Sequence, residues 1–362
     1  MTALDRIDAG TRGVLERYHF DEELFERLRA DVAAERLSPQ SNLVGGRIEP
    51  LGADAFLDLA DATDEVRDAG AEAFRRGEVA VAVLNGGMAT RFGGVVKGIV
   101  DAHGGRSFLE WKALQVDRLA RELGAEIPFA VMNSFATDDA TRAFVRERAL
   151  RDPLFFVQSV LLRLNPDGSL FLDPDGTASP YSPGHGDFAP SLRRTGTLAA
   201  LRERGVRLIA LSNVDNLGAR PDPRVVGAHI RSGARMTSEV ATKDPGDAGG
   251  SPVLVDGKPF VVEGPRFPPG FDQDSVDVFN TNTFVFDLDV FDDDYPLTWL
   301  YIEKEVSARP AVQLEQLVNE ISRFVPTAYL RVPRRGRESR FLPIKRPADL
   351  EAAQPQLAQI LA

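Results

Sequence analysis

Hydrophobic and polar positions follow two rhythms along this chain, and they alternate. Val79 to Leu84 is an unbroken apolar run that ends in Asn85-Gly86-Gly87, the pattern of a strand buried on both faces feeding a glycine loop. A 3.6-residue period then predicts a helix over 108–123. Further apolar runs predict strands over 127–132, 154–158 and 206–211, with helical stretches over 137–150 and 191–205 between them. Strand and helix in turn predict an α/β fold: a Rossmann-like, mixed but mostly parallel sheet flanked by helices. Residues 235–290 are richer in strand, with short runs over 236–241, 260–262 and 283–286. Helix is expected again over 313–324, strand over 328–332, and a closing helix over 347–362.

Ahead of this core, residues 12–76 are charged and read as helix. Leu24, Phe25, Leu28 and Val32 recur at helical spacing, as do Phe56, Leu57, Leu59 and Ala60, with Val66 and Phe74 further on. Ser38-Pro39 and Pro50-Leu51-Gly52 break the stretch. The expected organisation is a helical lead-in over 1–76 packed on the core, a core domain over 77–345, and a C-terminal helix over 346–362.

Composition narrows the chemistry. The 362 residues include 54 Asp plus Glu against 43 Lys plus Arg, a net charge of −11. Nucleic-acid binding is disfavoured, because a phosphate backbone needs a basic field. With no cysteine, disulfides, thiolate metal sites and cysteine nucleophiles are excluded. His19, His103, His185 and His229 are too scattered to suggest a metal cage. No apolar run approaches the ~18 residues of a membrane span, and the first residues lack the apolar stretch of a signal peptide. A cytoplasmic protein acting on small molecules is expected, with oligomeric state open.

Several segments could carry chemistry. The loop Asn85-Gly-Gly-Met-Ala-Thr-Arg-Phe-Gly-Gly94, followed by Lys97, can cradle a phosphate or base edge with backbone N–H groups. It lacks the Gly-Lys-Ser/Thr of a Walker A loop and the Gly-x-Gly-x-x-Gly of a dinucleotide site. Arg91 and Lys97 suit phosphate contact, but an ordinary tight turn with solvated cations reads the same. Ser212-Asn-Val-Asp-Asn-Leu-Gly218 lies past a predicted strand, where ligands bind in open α/β sheets. Asp215 there suits a Mg²⁺ that bridges phosphates, or simply a helix cap. Gly184-His185-Gly186 suggests a backbone held close to a flat group, or a surface turn. Asn280 and Asn282, two apart on a strand, share a face that suits sugar hydroxyls, or they cap a strand edge. Lys345 ends the apolar run Phe341-Leu-Pro-Ile344 and by itself reads as a surface lysine.

Taken in order, these segments resemble the UTP-glucose-1-phosphate uridylyltransferase family. The resemblance rests on Leu84-Asn-Gly-Gly87 with Thr90, Arg91, Gly93 and Lys97, and on Val131-Met-Asn-Ser-Phe-Ala-Thr137. Phe156-Val-Gln158, Pro183-Gly-His-Gly-Asp187 and Ser212-Asn-Val-Asp-Asn-Leu-Gly-Ala219 follow, and the last two are the most specific. Glu239, Lys243, Gly249-Gly250, Glu263, Phe279-Asn-Thr-Asn282, Gln313-Leu-Glu315 and Phe341-Leu-Pro-Ile-Lys345 complete the set, over about residues 80–350. This chain departs from the usual pattern at Ala89, where a glycine is common, and at Val96, where a proline precedes the lysine.

The resemblance implies a GT-A-like nucleotide-sugar transferase fold, here without the C-terminal β-helix of eukaryotic members. It implies transfer of uridylyl from UTP to a hexose-1-phosphate, glucose-1-phosphate foremost. UDP-N-acetylhexosamine or broader UDP-sugar synthesis is an alternative, and so is a non-catalytic nucleotide-sugar-binding protein. Leu84, Gly86 and Gly87 would hold the uridine, and Met132, Gln158 and Gly186 would frame the base. Asn213 and Asp215 would meet ribose and phosphates, with Asp215 the ligand of a Mg²⁺ cofactor. His185, Gly250, Glu263, Asn280 and Asn282 would line the sugar phosphate. Lys97, Lys345 and Arg91 would supply positive charge. The nucleophile is already an anion, so the chemistry asks for positioning and charge neutralisation rather than a general base.

Overall fold

The computed structural model describes residues 7–89, 94–244, 247 and 249–362. Its centre is an eight-stranded sheet. We number its strands in chain order: β1 (Phe56–Asp58), β2 (Val79–Leu84), β3 (Phe129–Asn133), β4 (Leu154–Val157), β5 (Leu208–Asn213), β6 (Met236–Thr242), β7 (Val278–Asp287) and β8 (Thr327–Arg331). Across the sheet they run β1-β8-β6-β7-β5-β2-β3-β4. Every neighbouring pair is parallel except those made by β7, which is antiparallel to both β5 and β6. The expected α/β fold with a mixed, mostly parallel sheet is present.

Strand β2 shows why its sequence is apolar throughout. Val79, Val81 and Val83 enter one core cluster, and Ala80, Ala82 and Leu84 enter the cluster on the opposite face. The first cluster is covered by α3 (Asp64–Arg75), α4 (Phe108–Leu123), α8 (Pro223–Ser232) and α9 (Pro347–Leu361). The second is covered by α6 (Phe188–Arg194), α7 (Thr197–Glu203) and the 3₁₀ turn Val318–Arg323. Helix α4 starts on a Ser107–Glu110 capping box and ends at Gly124 in the left-handed region, as its period predicted. Helices α3 and α8 cross at van der Waals distance of their backbones. A Cβ on Gly70 would lie 1.9 Å from the Pro223 carbonyl oxygen, and one on Gly227 1.7 Å from that of Val66.

The lead-in differs from its expectation at two short strands, of which the first, Ile48–Pro50, pairs antiparallel with Val253–Val255. Helices α1 (Ala9–Arg17) and α2 (Glu22–Ala33) form and bury Leu15, Phe25, Leu28 and Val32 against Leu162, Tyr301 and Val312. The stretch around Phe56, however, is not helical. Phe56–Asp58 is edge strand β1, paired in parallel with Tyr329–Arg331, and only Leu59–Asp61 turns as a 3₁₀ helix. The Phe56 ring packs on Tyr329 with centroids 6.3 Å apart, and the Arg331 guanidinium lies over it. This tertiary pairing overrides a local pattern of three or four apolar positions.

The helix expected over 313–324 is also corrected. Leu300–Val306 and Arg309–Glu315 form an antiparallel hairpin, followed by the 3₁₀ turn Val318–Arg323. Ser307 and Ala308 close the hairpin, both at positive φ (51° and 58°), as a two-residue loop of mirror-image type requires.

Candidate active site

Four strands end in register. Asn213 of β5 pairs with Leu84 of β2, Leu84 with Met132 of β3, and Met132 with Phe156 of β4. Backbone bonds extend the row one step outward: Asn85 N–H donates to Met132 O, Gln158 N–H to Asn133 O, and Val214 N–H to Leu84 O. The loops beyond this carboxyl edge carry most of the residues singled out from the sequence.

On the side of β4, Gln158 is buried and its Nε2 donates to Gly184 O at 3.1 Å. A Cβ on Gly86 would lie 2.8 Å from Gln158 Oε1, so the glycine loop and this amide occupy adjoining space. Gly184 (φ 86°) and Gly186 press against the Gln316 backbone, where Gly186 N–H donates to Gln316 O at 2.7 Å. Any Cβ on Gly186 would meet that segment at 2.5 Å. Between them His185 accepts a hydrogen bond from Val318 N–H at Nδ1 (3.0 Å). Desolvation holds its imidazole down to about 4, so the ring is neutral at pH 7 with its proton on Nε2. Asp187 secures the turn, accepting from Ser159 N–H (2.6 Å) and Ser191 Oγ (2.8 Å). The Met132 side chain is fully buried in the core cluster beneath the row, as is most of Leu84.

In the middle, Lys97 Nζ meets Asp215 Oδ2 at 2.5 Å, with both side chains about six-sevenths buried at 15% and 16% exposure. The two come from loops 118 residues apart in sequence. Asn213 Oδ1 accepts from Asn282 Nδ2 at 3.0 Å, which ties this loop to β7. Asn282 sits at φ 54°, a strained conformation for a non-glycine residue, and its Oδ1 is buried without a hydrogen-bond partner. Asn280 Oδ1 accepts from Asn282 N–H and Ser238 Oγ, and Asn280 N–H donates to Gly250 O. Glu263 closes this group: a Cβ on Gly250 would lie 2.8 Å from its carboxylate. Burial pushes the Glu263 carboxyl above its usual range, against a hydrogen bond from Asn280 and the charges of Arg266 and Lys345.

Lys345 arrives on a segment hooked to the same loop. Asn216 Nδ2 donates to Arg340 O, its Oδ1 accepts from Leu342 N–H, and Ile344 N–H donates to Asp215 O. The segment is anchored below by Arg340, whose guanidinium makes a buried two-pronged pair with Glu239 at 2.6 and 2.8 Å. The Lys345 side chain itself is exposed. Arg91 lies outside the described residues.

Sequence reasoning missed the residues beneath the loops. Asn85 is buried and its Nδ2 donates to Asn133 Oδ1 and Thr141 Oγ1, with Asn133 Nδ2 donating on to Asp138. Lys112 and Gln115 of α4 reach up to the 212–219 loop. The available signal was position: Phe108, Lys112 and Val116 are four apart on the apolar stripe of α4, where a charge needs a buried partner.

The mostly parallel sheet with one reversed strand, bearing glycine loops and a lysine–aspartate pair at its carboxyl edge, has the GT-A-like fold of nucleotide-sugar transferases. The model of the UTP--glucose-1-phosphate uridylyltransferase family matches residues 23–360, and the chain belongs to that family. It is 30% identical over 305 residues to a probable UTP--glucose-1-phosphate uridylyltransferase of Schizosaccharomyces pombe, covering 78% of this chain and 60% of that protein. The Musa acuminata enzyme of the same name is 31% identical over 302 residues, covering 78% and 64%. This chain thus spans about three fifths of the length of these curated relatives. A mutant UDP-glucose pyrophosphorylase of Leishmania major, solved in complex with UDP-glucose, superposes with a TM-score of 0.70 at 27% identity, covering 85% of this chain and 70% of that one. The Trypanosoma brucei uridine diphosphate N-acetylglucosamine pyrophosphorylase shares the fold with a TM-score of 0.80 at 21% identity, covering 97% and 80%.

Proposed function

We propose that this protein transfers uridylyl from UTP to a hexose-1-phosphate, glucose-1-phosphate foremost, releasing pyrophosphate. The observation that carries the reading is the Lys97–Asp215 pair, set between the Gln158–Gly186 side and the Asn280–Glu263 side of one carboxyl edge. A sugar-phosphate oxygen attacks the α-phosphorus, and the bond from that phosphorus to the bridging oxygen of pyrophosphate breaks. The barrier is repulsion between two polyanions, so fixed positive charge and in-line placement supply the catalysis. Lys97 and Lys345 fit that role. The neutral His185 offers Nε2–H as a donor beside the phosphates or sugar, and Asn280 and Asn282 would line the sugar.

Asp215 fits a Mg²⁺ site. Among the described residues no group of three or more His, Asp or Glu could hold a metal by itself. A lone carboxylate completed by substrate phosphates is the usual setting for Mg²⁺. When bound, the ion would neutralise phosphate charge there. With UTP docking at one end of the edge, Gln158 would pair with the uracil, and Leu84, Gly86 and Gly87 would hold the uridine through backbone.

Small molecules are the partners in this reading. No helix among the described residues is long and apolar enough to cross a membrane, and we propose a cytoplasmic location. A pyrophosphate-release assay with UTP, Mg²⁺ and a panel of hexose-1-phosphates tests the function. Glucose-1-phosphate should turn over fastest. Preference for N-acetylglucosamine-1-phosphate would change the hexose, and no release with any sugar phosphate would leave only a binding protein.

A further inference from the structure

Lys112 is the fifth residue of α4 and is 2% exposed. Its ammonium donates to Ser212 Oγ at 3.0 Å, Asn216 O at 2.7 Å and Ala219 O at 2.7 Å. One turn on, Gln115 Nε2 donates to Leu217 O at 2.8 Å. Four hydrogen bonds from one helix face therefore grip the 212–219 loop on both sides of Asp215. Lysine is the side chain whose tip offers three donors and no acceptor, which matches three converging acceptors.

Such a residue is not the cheapest way to hold a loop. Burial pushes the Lys112 ammonium down to about 7, helped by the charge of Arg340 and opposed by Asp215 and Glu239. An apolar side chain with a differently hydrogen-bonded loop avoids that desolvation. What the lysine adds is a hold on the loop that does not depend on Lys97. In the free protein Lys97 is paired with Asp215. In the proposed reaction Lys97 must also face phosphate, and the Lys112 bonds then hold the loop from beneath, alongside the Asn216 and Ile344 bonds that hold it from the side of residues 340–344.

We propose that Lys112 is a positioning residue for uridylyl transfer: its hydrogen bonds fix the 212–219 loop so that the Asp215 carboxylate stands at the carboxyl edge independently of Lys97. The kinetic half of this proposal rests on the uridylyltransferase reading. The structural half does not, and the experiment separates them. In the 362-residue chain, Lys112→Met should raise hydrogen exchange of the 212–219 amides by about tenfold or more while the β2 amides keep wild-type protection. Turnover should fall by about 10–100-fold, the scale of a small misplacement of reacting groups, with the Michaelis constant for UTP within about threefold of wild type. Combined with Asp215→Asn, it should cost little beyond the larger single loss, because one residue acts through the other.

Unchanged exchange in the loop overturns the proposal whatever the activity, and so do fully additive losses. Should Lys112→Met not fold, Ser212→Ala removes one acceptor and leaves the charge. It should loosen the same amides more mildly, and wild-type exchange there overturns the proposal equally. A wild-type protein without uridylyltransferase activity would overturn the functional reading, with the exchange data still deciding whether Lys112 fixes the loop.

Discussion

At the scale of single residues, the site works by withholding water from groups that then hold one state. His185 is the clearest case. Its folded value near 4 lies below the ordinary value of 6.5, because desolvation penalises the imidazolium. As pH falls below about 6.5 the unfolded chain takes up this proton before the folded one does, so stability from this group is full above about 6.5 and drains away down to about 4. His185→Asn, which keeps an acceptor for Val318 N–H, should flatten that part of the curve. Thermal midpoints measured from pH 7 to pH 4 should fall less steeply in the variant, by about 2–4 °C over the window. Parallel curves would mean that the ring protonates as freely in the fold as out of it. Gln158 and Gly86 express the same economy in space, since the amide fills the volume that any side chain at residue 86 would need.

At the scale of elements, the strand ends are in register and the loops above them are held by buried polar pairs. The Arg340–Glu239 pair is among the most deeply buried of these, with both residues at most 2% exposed. Arg340→Met should cost on the order of 3–5 kcal/mol, because it strands a carboxylate in the core. Adding Glu239→Leu should recover much of that loss. Urea unfolding of the two variants checks this, and a double variant less stable than the single one would show that the pair does not act as a unit. This anchor was not readable from sequence, where Glu239 and Arg340 are 101 positions apart. The strands around it were readable, because Val79 to Leu84 must feed two cores and can only be apolar. The glycine loops and Asp215 could be placed at the strand ends because they directly follow those apolar runs in the sequence. The hairpin at 300–315 was not: its turn uses Ser307 and Ala308 in place of the Asn-Gly or Gly-Gly that announces such a loop. Phe56–Asp58 was misread because its strand character comes from Tyr329 and Arg331, distant in sequence. Lys112 was overlooked for a related reason, since two of its three acceptors are backbone carbonyls, which carry no residue signature, and all three lie at least 100 positions away.

At the scale of the whole molecule, an acidic chain gathers cations where its sheet ends. Lys97 follows β2, Asp215 follows β5, and Lys345 comes from beyond β8, brought back by the Asn216 clamp on 340–342. The fold thus joins the first strand loop to the last segment before α9 around one carboxylate. In the proposed reaction this convergence serves charge neutralisation and not the stability of the fold. Lys345 isolates it best, because its side chain is exposed and Arg266 still faces the Glu263 carboxyl when the Lys345 charge is lost. The decisive measurement is the turnover of Lys345→Met with UTP, glucose-1-phosphate and Mg²⁺, read beside its thermal midpoint. Turnover reduced by about 10²–10³ with the midpoint near that of wild type is the predicted result, and near-normal turnover would contradict the account.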